Sequence, residues 1–290
     1  MHIYTFSIPL RSSILPFATR EGLIVETSDG WGEASPLPGF SPETLMEAFQ
    51  SFQTGSLTPS AAFALRCAHQ PFPLSFPRLP VCALVTSWPE ALQAVQDGYQ
   101  TIKIKVKHYR IEDAIRLVRQ LQELSVRLRI DANRCWNPSQ AHVFFKSINT
   151  THIEYIEEPV QNPMDLFSLP AMPIALDETL LEKDFERYLQ LPHLNALILK
   201  PTMLGSRLDS LIAFGQKQGK KIVFSSSFES AVGLLHIAHL QSLYNPKIAV
   251  GLDTYRALLH HFLPITIENG MLKSDRLPPL DRTWLADPVF

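Results

Sequence analysis

The sequence predicts an α/β protein built as a TIM-type (β/α) barrel, with a compact α+β unit in front of it. Three observations carry that prediction. From Val81 onwards short apolar runs alternate with stretches of helical periodicity, giving eight β/α steps without a long insertion. Between Thr101 and Pro201, charged residues end successive apolar runs: Lys103 and Lys105, then Asp131, Glu157, Asp177 and Lys200. Their spacing of roughly 20 to 26 residues is about one strand, one helix and two loops. The G-x-G-x-x-G turn that often opens a doubly wound sheet is missing.

In chain order, Met1 to Pro9 and Gly22 to Glu26 read as strands, and Ser28-Asp29-Gly30 as a tight turn into a third strand, Trp31 to Ala34. Leu37 to Phe40 makes a turn. Ser41 is the expected N-cap of a helix with Pro42 at its first position, and Pro59 opens another in the same way. The loops Ser12 to Arg20 and Pro36 to Phe40 read either as plain surface or as a lid over a neighbouring site. Gln70 to Pro80, with its prolines, reads as a linker.

The expected barrel strands are Val81–Val85, Ile102–Val106, Val126–Ile130, Ile153–Ile156, Pro173–Leu176, Ala196–Leu199, Lys221–Phe224 and Ile248–Val250. The helices between them include Ile111–Leu124, with apolar residues at the 3.6-residue period, Pro138–Ile148, a short Glu182–Leu189, Ser206–Gln218 ending at Gly219, and Glu229–Leu243. The implied division is residues 1–78, a barrel over 79–261 and a tail over 262–290. Within the tail, Ile265 to Gly270 is expected to return to the N-terminal sheet.

Composition narrows the function. A chain of 290 residues buries a large core, and a net charge of -2 provides no field for nucleic acid or an anionic membrane. No apolar run is long enough to span a bilayer, and Met1 to Phe17, broken by Pro9, Arg11 and Pro16, does not read as a signal peptide. Cys67, Cys82 and Cys135 lack metal-type spacing and read as reduced thiols, as in a cytoplasmic protein. Monomer and homo-oligomer both remain open.

Asp131, Glu157 and Asp177 follow adjacent strands, so their carboxylates converge in a closed barrel. Unpaired they repel; a hard divalent cation resolves this, Mg²⁺ first and Mn²⁺ as a substitute. Taken singly, each acid reads as a helix cap or surface charge. Lys103 and Lys105 lie two apart and face the barrel interior, a costly placement unless they serve a site, and Lys200 ends the strand opposite. A substrate held between Lys105 and Lys200 suits proton abstraction beside a carboxylate, with the metal stabilising an enediolate. Lys107, beyond the apolar run, reads as solvated. Arg129 faces the same way as Asp131 and is a candidate partner for a ligand or a substrate carboxylate; Asn133 is a candidate hydrogen-bond donor. Ser225, Ser226 and Ser227, before a helix start, form a plausible anion seat, and Gly251 and Asp253 are placed at the same mouth.

These fragments resemble the o-succinylbenzoate synthase family of the enolase superfamily. The resemblance rests on Thr101-Ile-Lys-Ile-Lys-Val, Arg127-Leu-Arg-Ile-Asp-Ala-Asn-Arg-Cys-Trp, Tyr155-Ile-Glu-Glu-Pro, Ala175-Leu-Asp-Glu, Ile198-Leu-Lys-Pro-Thr and Ser225-Ser-Ser-Phe-Glu-Ser, together with Gly30-Trp-Gly-Glu-Ala-Ser-Pro-Leu-Pro-Gly-Phe-Ser. It implies an α+β capping domain on a modified barrel and a small carboxylate substrate. It implies Asp131, Glu157 and Asp177 as metal ligands, Lys105 as catalytic base and acid, Lys103 beside it, Lys200 stabilising the enediolate, and Ser225 and Ser226 binding carboxylate. The implied reaction is loss of water from 2-succinyl-6-hydroxy-2,4-cyclohexadiene-1-carboxylate, giving 2-succinylbenzoate on the route to menaquinone or phylloquinone. Lys107 replaces a glycine frequent in relatives, and the tail lacks a glycine-rich ending. Two rivals share the fold: an N-succinylamino acid racemase or dipeptide epimerase using Lys105 and Lys200 as two bases, and a non-catalytic barrel binding protein.

Overall fold

The structure, a computed structural model, describes residues 1–11, 16–72, 74–274 and 279–287. The sequence-predicted loop at 12–20 therefore falls partly outside the described residues, as does part of the tail. Thr19 and Arg20 are not loop; they begin a strand.

The N-terminal unit is an antiparallel sheet of β1 (His2–Pro9), β2 (Thr19–Glu26) and β3 (Trp31–Ala34), with two helices, α1 (Leu45–Thr54) and α2 (Pro59–Ala68). Strands β1 and β2 pair from His2↔Glu26 to Pro9↔Thr19. Helix α1 starts three residues later than the Ser41-Pro42 signal suggests. Thr44 caps it and makes a capping box with Glu47, satisfying two orphan N–H groups at once. Ser41 instead accepts the Leu37 N–H at 2.8 Å and closes the preceding turn. Strand β3 lies directly on α2: a Cβ at Gly32 would sit 1.8 Å from the Ala64 carbonyl oxygen, so only glycine allows this approach.

The barrel begins after a two-residue strand, β4 (Leu79–Pro80). It then runs through β5 (Ala83–Val85), α3 (Trp88–Gln96), β6 (Thr101–Lys105), α4 (Ile111–Leu121), β7 (Arg127–Asp131), α5 (Pro138–Ser147), β8 (Ile153–Glu157), β9 (Ile174–Leu176), β10 (Leu194–Leu199), α6 (Pro201–Leu204), α7 (Arg207–Lys217), β11 (Lys221–Phe224) and α8 (Ala231–Tyr244). Strands β5 to β11 form one seven-stranded sheet in sequential order, and every pairing is parallel. The expected eighth strand is reduced to isolated bridges, Val81↔Val250 and Ser225↔Gly251. Hydrogen bonds from Cys82 N to Val250 O and from Gly251 N to Phe224 O, both 2.9 Å, close the ring. A 3₁₀ turn at Asp253–Ala257 follows almost at once and leaves no length for a ladder. The short helix expected at Glu182–Leu189 is likewise two 3₁₀ turns, Glu178–Leu181 and Phe185–Gln190.

Inside the ring Tyr155, Ala175, Ala196, Ile198 and Val223 pack as one buried cluster. On its outer side the helices bury their apolar stripes, as α4 does with Ala114, Ile115, Leu117, Val118 and Leu121. After α8 the chain makes a hairpin of β12 (Thr266–Glu268) and β13 (Met271–Lys273), and a last short strand, β14 (Leu285–Ala286). Here the sequence reading needs correction. Strand β13 pairs with β4, so the supposed linker contains a strand, and Ile265 to Gly270 lies under the N-terminal end of the barrel rather than on the N-terminal sheet. Leu79 and Leu272, both fully buried, supply the reason. It is β14 that joins the N-terminal sheet, beside β1.

The N-terminal unit meets the barrel on α8. His236 Nε2 donates to the Trp31 carbonyl at 2.7 Å, and its ring lies 5.4 Å from that of Phe72. Burial pushes the imidazole down to about 4. An unfolded histidine titrates near 6.5, so between these values the unfolded chain holds more protons. The stabilisation is complete above pH 6.5 and is lost as pH falls toward 4, amounting to about 3 kcal/mol over that window. His236→Gln is expected to flatten this part of the stability–pH curve. Urea unfolding of both proteins across pH 4 to 7 checks it, and parallel curves would contradict it.

Candidate active site

The C-terminal ends of the strands bring six charged side chains to one mouth. Strand register puts Lys105 beside Asp131 and Asp131 beside Glu157, in one row across β6, β7 and β8. Asp177 follows β9 and Lys200 follows β10. Lys103, one pleat below Lys105, bridges the acids: its Nζ lies 2.8 Å from Asp131 Oδ2 and 2.7 Å from Glu157 Oε1. Lys200 Nζ pairs with Asp177 Oδ2 at 2.5 Å. Lys105 forms no ion pair among the described residues, while Lys107 is exposed.

The electrostatics follow from this pairing. Burial opposes the charge on Lys103, but the Asp131 and Glu157 carboxylates outweigh it and hold the ammonium well above the ordinary lysine range. Lys200 is raised in the same way, against burial, by Asp177 and Glu178. Lys105 goes the other way: burial lowers it, and Lys103 and Lys200 lower it further. Burial works against the charged form of Asp131, yet Lys103 and Lys105 bring it below the usual carboxylate range. Glu157, completely buried, is driven well up by burial and by Asp131. Its Oε2 is buried with no hydrogen-bond partner among the described residues.

The residues around this row hold its geometry. Asn133 has left-handed backbone, donates its N–H to Asp131 Oδ1 at 3.0 Å and donates Nδ2–H to Glu178 Oε1 at 3.2 Å. Glu158, also left-handed, accepts the N–H groups of Asp177 and Thr179, both at 2.8 Å, and pairs with Arg134 at 3.1 Å. Such strained backbone persists only where surrounding bonds over-determine it. The sequence reading assigned no role to Glu158, Arg134 or Glu178. Glu178 is pushed up to about 7 by burial and Asp177.

Other expected site residues are placed differently. Arg129 faces the interior but lies one row down; its Nε donates to Glu154 at 2.8 Å, and its guanidinium stands over the Tyr155 ring. It therefore pairs with neither the acid row nor the mouth. Lys221 also reaches Glu154, at 3.3 Å. Breaking such a buried pair by removing one member costs about 3–5 kcal/mol, which marks Arg129 as part of the barrel floor. Ser226 Oγ is engaged by the Gly251 carbonyl and Thr254, and Ser225 Oγ lies 3.4 Å from the same carbonyl. Ser227 Oγ is buried without a partner among the described residues. Gly251 fits against Ser225, where a Cβ would come within 2.7 Å of its Oγ. Asp253 is not free for substrate: it accepts the Leu84 N–H at 2.9 Å and pairs with Arg256. A cavity of about 720 Å³ opens at the other end of the barrel, lined by Arg127, Glu154 and Lys221, away from the acid row.

Among the described residues, no three His, Cys, Asp or Glu side chains already stand as a cation cage. The ammonium groups of Lys103 and Lys200 hold the carboxylate oxygens instead. The donor set still fits a hard divalent cation: three carboxylates, with Glu157 keeping one buried oxygen unpartnered.

Two family models match this chain: an enolase C-terminal domain-like model over residues 89–278 and a MenC N-terminal domain model over residues 1–72. An o-succinylbenzoate synthase from Klebsiella pneumoniae (strain 342) is 31% identical over 96% of this chain and 98% of its own length. Among solved structures, an o-succinylbenzoate synthase from Thermosynechococcus elongatus BP-1, complexed with Mg in its active site, superposes with a TM-score of 0.75 at 26% identity. That match covers 92% of this chain and 95% of the other. A substrate-liganded L-Ala-D/L-Glu epimerase from Bacillus subtilis gives a TM-score of 0.78 over 100% of this chain and 98% of the other. At 18% identity that likeness is one of fold. Identity above thirty per cent along almost the whole of both chains is the narrower finding, and by it the chain belongs to the o-succinylbenzoate synthase family of enolase-like lyases.

Proposed function

We propose that this protein dehydrates 2-succinyl-6-hydroxy-2,4-cyclohexadiene-1-carboxylate to 2-succinylbenzoate, with Lys105 moving the proton. The observation that supports this most directly is the inequality of the three lysines. Lys103 and Lys200 are tied to carboxylates, whereas Lys105 has no ion-pair partner among the described residues and is lowered by burial and its two cationic neighbours. An amine in that state is suited to act as a base. Lys105 takes the proton from the ring carbon bearing the carboxylate. The electron pair forms the new ring double bond, and the C–O bond to the neighbouring hydroxyl breaks. The Lys105 ammonium returns its proton to that hydroxyl, which departs as water, and the ring becomes aromatic.

Lys200, held charged by Asp177, stabilises negative charge on the opposite side and exchanges no proton. Lys103 keeps Asp131 and Glu157 in place. Asp131, Glu157 and Asp177 are the residues that would hold Mg²⁺, with Mn²⁺ as substitute. When bound, the ion supplies a hard positive charge beside the substrate carboxylate. Lys103 and Lys200 hold one oxygen of each of these carboxylates. Residues 1–78 act as a cap on a catalytic barrel at 79–261, and Ser225 to Ser227 seat a substrate carboxylate through their hydroxyls, because their N–H groups go to Leu199, Gly251 and Glu229 and those at the start of α8 go to Glu33.

The test offers the cyclohexadiene carboxylate and an N-succinyl amino acid separately, in deuterated water with Mg²⁺. Dehydration of the first with slow or absent α-deuterium exchange in the second is the expected result. Rapid exchange and racemisation with negligible dehydration would replace this reading by a two-base racemase.

A further inference from the structure

Arg20 is one of the largest side chains buried in the molecule, at 1% exposure, and forms no salt bridge among the described residues. Its donors all go to carbonyl oxygens. Nε donates to Phe228 at 3.0 Å; Nη1 donates to Glu21 at 2.8 Å and Pro36 at 2.9 Å; Nη2 donates to Ser35, and to Ser227 at 3.4 Å. One guanidinium thus joins two loops nearly two hundred residues apart: the cap turn after β3 and the serine loop after β11. Phe228 is held there with φ of +62°, a strained conformation for a residue with a Cβ.

The charge is balanced across the same interface. Glu33 of the cap accepts Ser230 N–H and Gly233 N–H, both at 2.9 Å, at the start of α8. Glu229 accepts the Thr202 hydroxyl at 2.6 Å and the Ser227 N–H. Thr202 lies two residues beyond Lys200, so this bond also ties the serine loop to the end of β10. Both carboxylates act on Arg20 through space. A buried cation costs several kcal/mol unless its donors are satisfied. An apolar side chain would fill the space without orienting these carbonyls.

We propose that Arg20 is a positioning residue: it fixes the serine loop against the cap turn, and by doing so sets the affinity for the substrate carboxylate. This rests on the seat assigned above to Ser225–Ser227. Its hydrogen bonds do not reach the acid row, so the effect falls on binding and spares the chemical step.

Arg20→Lys keeps the charge and loses the directed fork of donors. KM for the cyclohexadiene carboxylate is expected to rise at least about tenfold with kcat within about threefold. Amide exchange is expected to quicken together in 225–229 and 36–41, while Mg²⁺ affinity stays unchanged. A merely structural role would lower the melting temperature and leave KM untouched, and that result overturns the proposal. If Arg20→Lys does not fold, amide exchange of the wild type with and without 2-succinylbenzoate decides: protection is expected to rise together in 225–229 and 36–41, and a rise in 225–229 alone overturns it equally. If wild-type protein fails to turn over the substrate, the functional reading falls. Coupled exchange of the two loops then still decides whether Arg20 joins them; exchange that quickens in only one of them overturns the coupling.

Discussion

Replacing Lys105 with alanine is expected to lower kcat by about 10³- to 10⁴-fold, the upper part of the range for loss of a positioned acid–base group. The protein is expected to stay folded. Lys105 has no ion-pair partner among the described residues, so its removal strands no carboxylate. Its amine is lowered by burial, then by Lys103 and Lys200. The folded state therefore holds that proton less tightly than the unfolded chain does, and below the ordinary lysine range the charged amine is a net cost. In metal-free buffer the alanine variant is thus expected to melt at or above the wild-type temperature. The pH profile supplies a second signature. In wild type, kcat/KM is expected to rise with pH to a limit below the usual lysine range, as the amine loses its proton. That limb is expected to be absent from the residual activity of Lys105→Ala. Retention of more than about a tenth of wild-type turnover would remove Lys105 from the mechanism.

Glu157→Gln is expected to weaken Mg²⁺ binding by about 100-fold or more, with turnover falling in parallel. Glu157 is wholly buried and keeps one oxygen without a partner among the described residues, the arrangement of a ligand more than of a structural anion. Its carboxyl is raised by burial and Asp131, so the anion is poorly compensated until a second positive charge joins Lys103. The glutamine variant loses that anion, and Lys103 keeps Asp131. Stability without metal is expected to change little. The rise in melting temperature that Mg²⁺ gives wild type by mass action is expected to vanish. Calorimetric titration and melting with and without Mg²⁺ both read this independently of activity. A wild-type Mg²⁺ response in Glu157→Gln would exclude Glu157 as a ligand.

The strands that carry this site were readable because each ends an apolar run with a charged residue, and side chains alternate faces along a strand. That local rule put Lys103, Lys105, Asp131 and Glu157 on the interior face, where the structure has them. It misled at Arg129, which shares the face of Asp131. Standing two residues before Asp131, Arg129 lies one row below the acids, level with Tyr155, and the register shift between Leu128 and Arg129 leaves Glu154 out of the ladder as its partner. The start of α1 was missed for a different reason. Ser41-Pro42-Glu43 and Thr44 with Glu47 are competing local signals, and the reciprocal capping box at Thr44 prevails.

By itself, then, the sequence determined the order of the β/α units and the face of its strand on which each of these charged side chains stands. Both follow from periodicities within one strand or helix. Only the tertiary structure decided which lysine is bridged and which has no ion-pair partner among the described residues, where the tail hairpin docks, and that Arg20, Glu33 and Glu229 tie the N-terminal unit to the serine loop. Those outcomes depend on register between strands and on contacts across as many as 208 positions of sequence. A hydrogen bond or ion pair is decided at about 3 Å, over which the local pattern of a chain carries no information about its distant partner.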